Sequence, residues 1–145
     1  MSKWQIPYPQ EVKVAGYMDS DEPIYFQNMT MKQSEERLKE NDILILPIGS
    51  TECHGAHACY GEDTFLVTRM AEQVAKKTGC TVSQPIWFGS HPYHHMGMPG
   101  TIPINENTFC DYIAQVLAGF WNAGYRKIIL LNGHGQEYVI PTAIH

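Results

Sequence analysis

The chain contains no apolar run near the ~20 residues that a helix needs to cross a bilayer, and its first residues show no secretory-signal pattern. The cytoplasm is therefore the expected compartment, with no membrane partner. Basic residues are few. Ten Lys and Arg face 15 Asp and Glu, for a net charge of −5 with no basic cluster, which argues against nucleic acid as a partner. None of the four cysteines forms a Cys-x-x-Cys pair, so a structural zinc knuckle is not expected. Cys53, Cys59, Cys80 and Cys110 read as free thiols: Cys80 and Cys110 as small buried residues, Cys53 and Cys59 placed where they could touch a site. No Walker loop, no G-x-G-x-x-G and no G-x-S-x-G occurs, which removes the common phosphate, dinucleotide and serine-hydrolase signatures. Repeats and low-complexity segments are also missing. What remains is a globular composition, 43% hydrophobic over 145 residues, enough for a domain with a real core.

Residues 1–29 have no sustained period and read as an irregular arm, with one short strand at most and Trp4, Tyr8, Tyr17, Tyr25 and Phe26 as apolar anchors. The α/β part is expected from residue 30 to 145. Thr30 to Gln33 resembles a capping box that opens a helix through about Lys39. Residues 43–48, Ile-Leu-Ile-Leu-Pro-Ile, read as a buried strand. Asp63 to Lys77 reads as a helix with Phe65, Met70 and Val74 on its apolar face and Gly79 as its stop. Cys80 to Trp87 reads as a second strand interrupted by Pro85. A long glycine- and proline-rich loop, 88–103, follows. Asn105 caps a third helix, whose apolar stripe from Phe109 to Trp121 is core or interface and which Gly124 ends. Residues 127–132 read as a third buried strand, and another helix begins before His145. Helices alternating with aliphatic strands predict an α/β fold: a mostly parallel sheet flanked by helices.

The loops after the three strands then gather at the carboxyl edge of one sheet, where α/β proteins place their sites. Six of the seven histidines lie in those loops. The densest stretch is 49–63, Gly-Ser-Thr-Glu-Cys-His-Gly-Ala-His-Ala-Cys-Tyr-Gly-Glu-Asp. Glu52 and His54 are two apart and project to one side of an extended segment. With Asp63 they form a carboxylate–imidazole set suited to Zn²⁺, Mn²⁺ or Fe²⁺. His134, between two glycines after the third strand, is the fourth candidate ligand. A carboxylate can bridge two ions, and Asp63 is the choice for that bridge. His95 is a candidate for acid/base or substrate work, with His91 and His94 as weaker candidates on the same loop. Glu137 reads as a ligand, a general base or the first-turn acid of the last helix. Glu62 reads as a solvated or capping carboxylate. Ser50 and His57 are candidates for substrate contact, and a merely hydrogen-bonded loop histidine is the alternative for His57.

Three ordered blocks carry a resemblance. Leu46 to His57 followed by Asp63, then His95 to Ile102, then Leu131 to Gly135, together resemble the creatininase (creatinine amidohydrolase) family. The resemblance implies a three-layer α/β fold assembled into a homo-oligomer such as a hexamer. It also implies a centre of two divalent ions (Zn, Mn or Fe), with Glu52 and His134 on one, His54 on the other and Asp63 between them. It implies a small-molecule substrate: a cyclic or formyl amide cut at C–N, or alternatively a cyclic polyol ketone of inositol catabolism opened at C–C. The chain departs from the family at Gly135-Gln136-Glu137, where Gly-Gly-Asn is usual. In creatininase itself a glutamate ligand falls where this chain has Gln136, and Glu137 is a candidate substitute. Ala58-Cys59 replaces the common Leu-Pro. The chain is also shorter than family members, so a second polypeptide carrying the C-terminal half is expected. A non-catalytic subunit is the alternative from another class.

Overall fold

A computed structural model describes residues 23–145, apart from the side chain of His94. Most of the 1–29 arm therefore lies outside the described residues. Its last part does take one strand-like bridge, Tyr25 to Val82, followed by a 3-10 turn over Phe26–Asn28. The remaining elements are α1 (Met31–Glu40), β1 (Ile43–Ile48), α2 (Glu62–Thr78), β2 (Thr81–Val82), α3 (Glu106–Asn122), β3 (Lys127–Asn132) and α4 (Ile140–Ile144). The three strands form a parallel sheet in the order β2-β1-β3, so β1 is central.

The capping box forms as expected. Thr30 Oγ1 accepts from the Gln33 amide, and Gln33 Oε1 accepts from the Thr30 amide, which satisfies two amides that the helix itself cannot. Gly79 ends α2 in the left-handed conformation (φ 72°), where a side chain would be strained. On one sheet face, Leu46, Ile48 and Ile86 pack against Phe109 and Ile113 of α3 and Ile140 and Ala143 of α4. On the other, Ile45 and Val82 pack against Ala71 and Ala75 of α2, with Ile24 and Tyr25. Three layers result.

Three expectations need correction. First, the strand over 80–87 shrinks to two residues. In regular parallel register Pro47 would donate to the Ser83 carbonyl, and residue 85 would donate to the Pro47 carbonyl. Both positions are proline and have no N–H. The Ser83 amide still bonds to the Ile45 carbonyl (2.9 Å), and the ladder resumes one residue late, with the Ile86 amide bonding to the Pro47 carbonyl (2.9 Å). Second, the inner face of α2 is Thr64, Val67, Thr68, Ala71 and Ala75, whereas Met70 and Val74 are exposed. The small and hydroxyl side chains win the interface because they let the helix lie close to β1. Third, β3 is not fully buried. Among the described residues it pairs only with β1, and Ile129 is 50% exposed.

Candidate active site

Three loops leave the carboxyl ends of the strands and interlock. The Ile102 amide bonds to the Thr51 carbonyl (3.0 Å), and the Cys53 amide donates to Thr101 Oγ1 (3.0 Å), so loop 88–103 is laced to loop 49–63. Gln136 ties all three loops together. Its Oε1 accepts from the Ser90 amide (2.9 Å), and its Nε2 donates to the Gly49 carbonyl (3.3 Å) and to Asn132 Oδ1 (3.1 Å). The crossings are tight. A Cβ on Gly89 would fall 2.7 Å from Gln136 Oε1, and one on Gly133 would fall 2.7 Å from the Asp63 carbonyl, so glycine at both is steric necessity.

Within this frame Glu52, His54, Asp63 and His134 converge. Asp63, in the first turn of α2, is buried, with Oδ2 3.0 Å from His134 Nδ1 and Oδ1 3.2 Å from His54 Nε2. Glu52 Oε1 lies 2.9 Å from His134 Nδ1 and 3.7 Å from His54 Nε2. His134 Nε2 donates to the Ser90 carbonyl (3.1 Å), which fixes the ring and turns Nδ1 toward both carboxylates.

The third imidazole is His91, which the sequence ranked low. Its ring is fully buried, its Nε2 pairs with Ser50 Oγ (2.7 Å), and its Nδ1 faces Glu52 Oε2 at 3.4 Å. Its ring centroid stands 4.4 Å from that of His134. His95, on a 3-10 turn over Tyr93–His95, puts Nδ1 3.5 Å from Glu52 Oε2 and is partly exposed. Two groupings have donor atoms close enough together for one ion: Glu52, His54 and Asp63, and Glu52, His91 and His134.

The electrostatics are those of a cation site. Burial opposes the charged form of Asp63, but the hydrogen bond and charge of His134 prevail and hold its pKa below the usual carboxylate value. Burial likewise opposes protonation of His134, and Asp63 and Glu52 overcome it, raising its pKa. A proton on His134 Nδ1 thus does what a cation would do there, since that nitrogen sits between two carboxylate oxygens. His91 is driven the other way, to about 4, by burial and by the neighbouring His134 and His95, so it is neutral near pH 7. Among the described residues the buried Nδ1 atoms of His54 and His91 make no hydrogen bond. Carboxylate oxygens beside a neutral His91 ring whose buried Nδ1 has no hydrogen-bond partner among the described residues suit a divalent transition metal.

Other expected positions fall elsewhere. Ser50 is fully buried, with its hydroxyl committed to His91. Its side chain faces the interior. His57 is exposed on the loop, and Glu137 is exposed while its neighbour Gln136 points inward, so neither joins the cluster. Glu62 Oε2 reaches within 3.7 Å of His54 Nε2 from a half-exposed side chain. Cys53 and Cys59 are free thiols that take no part in either grouping.

A parallel α/β sheet with carboxylates and imidazoles gathered at its carboxyl edge defines an α/β protein with a metal-site constellation. The chain belongs to the creatininase family, whose sequence model, described as creatinine amidohydrolase, matches residues 27–145. A 3-dehydro-scyllo-inosose hydrolase of Thermotoga maritima is 67% identical over 128 residues, covering 88% of this chain and 41% of that protein. A creatinine amidohydrolase of Pseudomonas putida is 28% identical over 119 residues, covering 79% of this chain and 46% of that protein. A crystal structure of creatinine amidohydrolase superposes with TM-score 0.79 at 27% identity, covering 83% of this chain and 49% of that one. Related solved forms include one described as creatininase Mn and a mutant described as Zn-Zn type. The chain thus spans under half the length of these relatives.

Proposed function

We propose that the chain carries the metal-binding part of a hydrolase, with Glu52, His54, Asp63 and His134 as ligands for two divalent ions. The observation that carries this reading is the convergence of two carboxylates on the ring nitrogens of His54 and His134 within 3.7 Å. Bound there, the ions would lower the pKa of water toward neutrality and polarise a carbonyl. The protein's own part is to hold these donors fixed and to keep His134 Nδ1 aimed at the site through the Ser90 carbonyl. His95, partly exposed beside Glu52, would carry a proton between substrate and solvent.

The preferred substrate class is a cyclic polyol ketone, because the 67% identical relative is named for an inosose. Such a ring has no amide. Water opens it by adding to one carbonyl carbon. The adjacent ring C–C bond then breaks, leaving its electron pair on a carbon beside a second carbonyl, and that carbon takes up the proton. The products are one carboxylate and one C–H bond. Amide C–N hydrolysis is the second reading, favoured by the family description and by the creatininase fold match.

The test is turnover on a panel after metal loading. Ring opening of an inosose derivative without amine or formate release supports the first reading, and the reverse supports the second. Asp63→Ala should lose at least one ion and all turnover. A chain that binds no metal in elemental mass spectrometry would overturn the metal assignment and favour a non-catalytic subunit. The expected second polypeptide belongs to the same proposal, and intact-mass spectrometry of the active species tests it.

A further inference from the structure

We propose that His91 supplies a fifth ligand to this centre through Nδ1, with Ser50 as the positioning residue that holds it there. The inference rests on the metal-dependent reading above.

Three observations carry it. His91 is as buried as a core residue, yet its Nδ1 makes no hydrogen bond among the described residues. Buried polar atoms are nearly always satisfied, so one left open beside a carboxylate calls for a partner of another kind. Nδ1 faces Glu52 Oε2 at 3.4 Å, too far and too poorly aligned to be that partner.

Second, the other ring nitrogen is tied down. Nε2 sits 2.7 Å from Ser50 Oγ, inside a fully buried pair. When Nε2–H donates to that oxygen, the lone pair is left on Nδ1, the arrangement by which an outer partner sets the tautomer of a metal-binding imidazole. His134 repeats the pattern, with Nε2 held by the Ser90 carbonyl and Nδ1 turned inward.

Third, the two rings share one carboxylate. His134 Nδ1 approaches Oε1 of Glu52, and His91 Nδ1 approaches Oε2 of the same group, with all three donors near enough for one ion. Gln136 cannot fill this role, since both ends of its amide are bonded to backbone or to Asn132. A neutral imidazole at this position completes the ligand set without adding negative charge, which leaves the ions more electrophilic than a third carboxylate would.

The test needs no turnover. Long-range ¹H–¹⁵N spectra of the histidine rings of the full chain are recorded during a Zn²⁺ titration, with His91→Gln used to assign the resonance. The expected result is that Nδ1 of His91 moves to the range of metal-bound imidazole nitrogen together with Nδ1 of His134 and Nε2 of His54. If His134 and His54 move and His91 stays, this proposal fails while the metal reading stands. If none moves, the metal reading itself fails.

Discussion

Gln136 shows how one side chain can determine whether three loops meet. Its amide uses both of its chemical characters: the oxygen accepts from Ser90, and the nitrogen donates to Gly49 and Asn132. Gln136→Glu would set a carboxylate oxygen against two acceptors in a fully buried place. The expected loss is at least ~1–3 kcal/mol of stability without metal, measured by urea unfolding in chelator. Sequence reading did not foresee this role, because a polar residue committed to the interior has no periodic signature. The same blindness applied to Ser50 and His91. Their importance comes from a contact across 41 residues, whereas Glu52, His54 and Asp63 are close in sequence and were legible for that reason.

Helices and strands were easiest to read where a period was long and hardest where backbone chemistry intervened. β1, α1, α3 and the Gly79 stop follow the patterns expected of them, and β3 keeps its bounds but not its burial. The 80–87 strand does not, since hydrogen bonding between neighbours decided it and hydrophobicity did not. The cap of α1 is local and should behave so: Thr30→Ala is expected to cost ~1 kcal/mol, seen as a lower unfolding midpoint. The anchoring of α2, which carries Asp63, is less local. Glu72 is buried in that helix and accepts from Tyr25 OH (2.7 Å) and from Arg69 (2.7 Å). Tyr25→Phe leaves a buried carboxylate one donor short and is expected to cost ~1–3 kcal/mol by the same measurement.

For the molecule as a unit, the described sheet has one open side. Beside β3 lies a groove lined by Leu117, Trp121, Ile128, Leu130 and Ile144, and Ile129 is half exposed on the strand itself. An open strand edge bearing apolar side chains invites pairing with another chain. Ile129→Lys is expected to reduce concentration-dependent association in sedimentation velocity while leaving zinc binding intact. Metal should act on the whole fold. Zinc at 100 times its dissociation constant is expected to add ~2.7 kcal/mol to unfolding stability, a gain that Asp63→Ala should remove.

The paired prolines carry a consequence of parity. From Ile45 to Ile48 the central strand takes three steps, while its neighbour takes four from Val82 to Ile86. Side chains on extended backbone alternate in facing, so one surplus residue inverts the facing of everything that follows. Ser90 and His91 lie downstream of that inversion. Deleting Gln84 would keep every residue of the cluster and restore the count, yet it would rotate His91 away from Glu52. A deletion far from the metal should therefore damage the centre more than most substitutions beside it, and ring-nitrogen spectra of the shortened chain would show it.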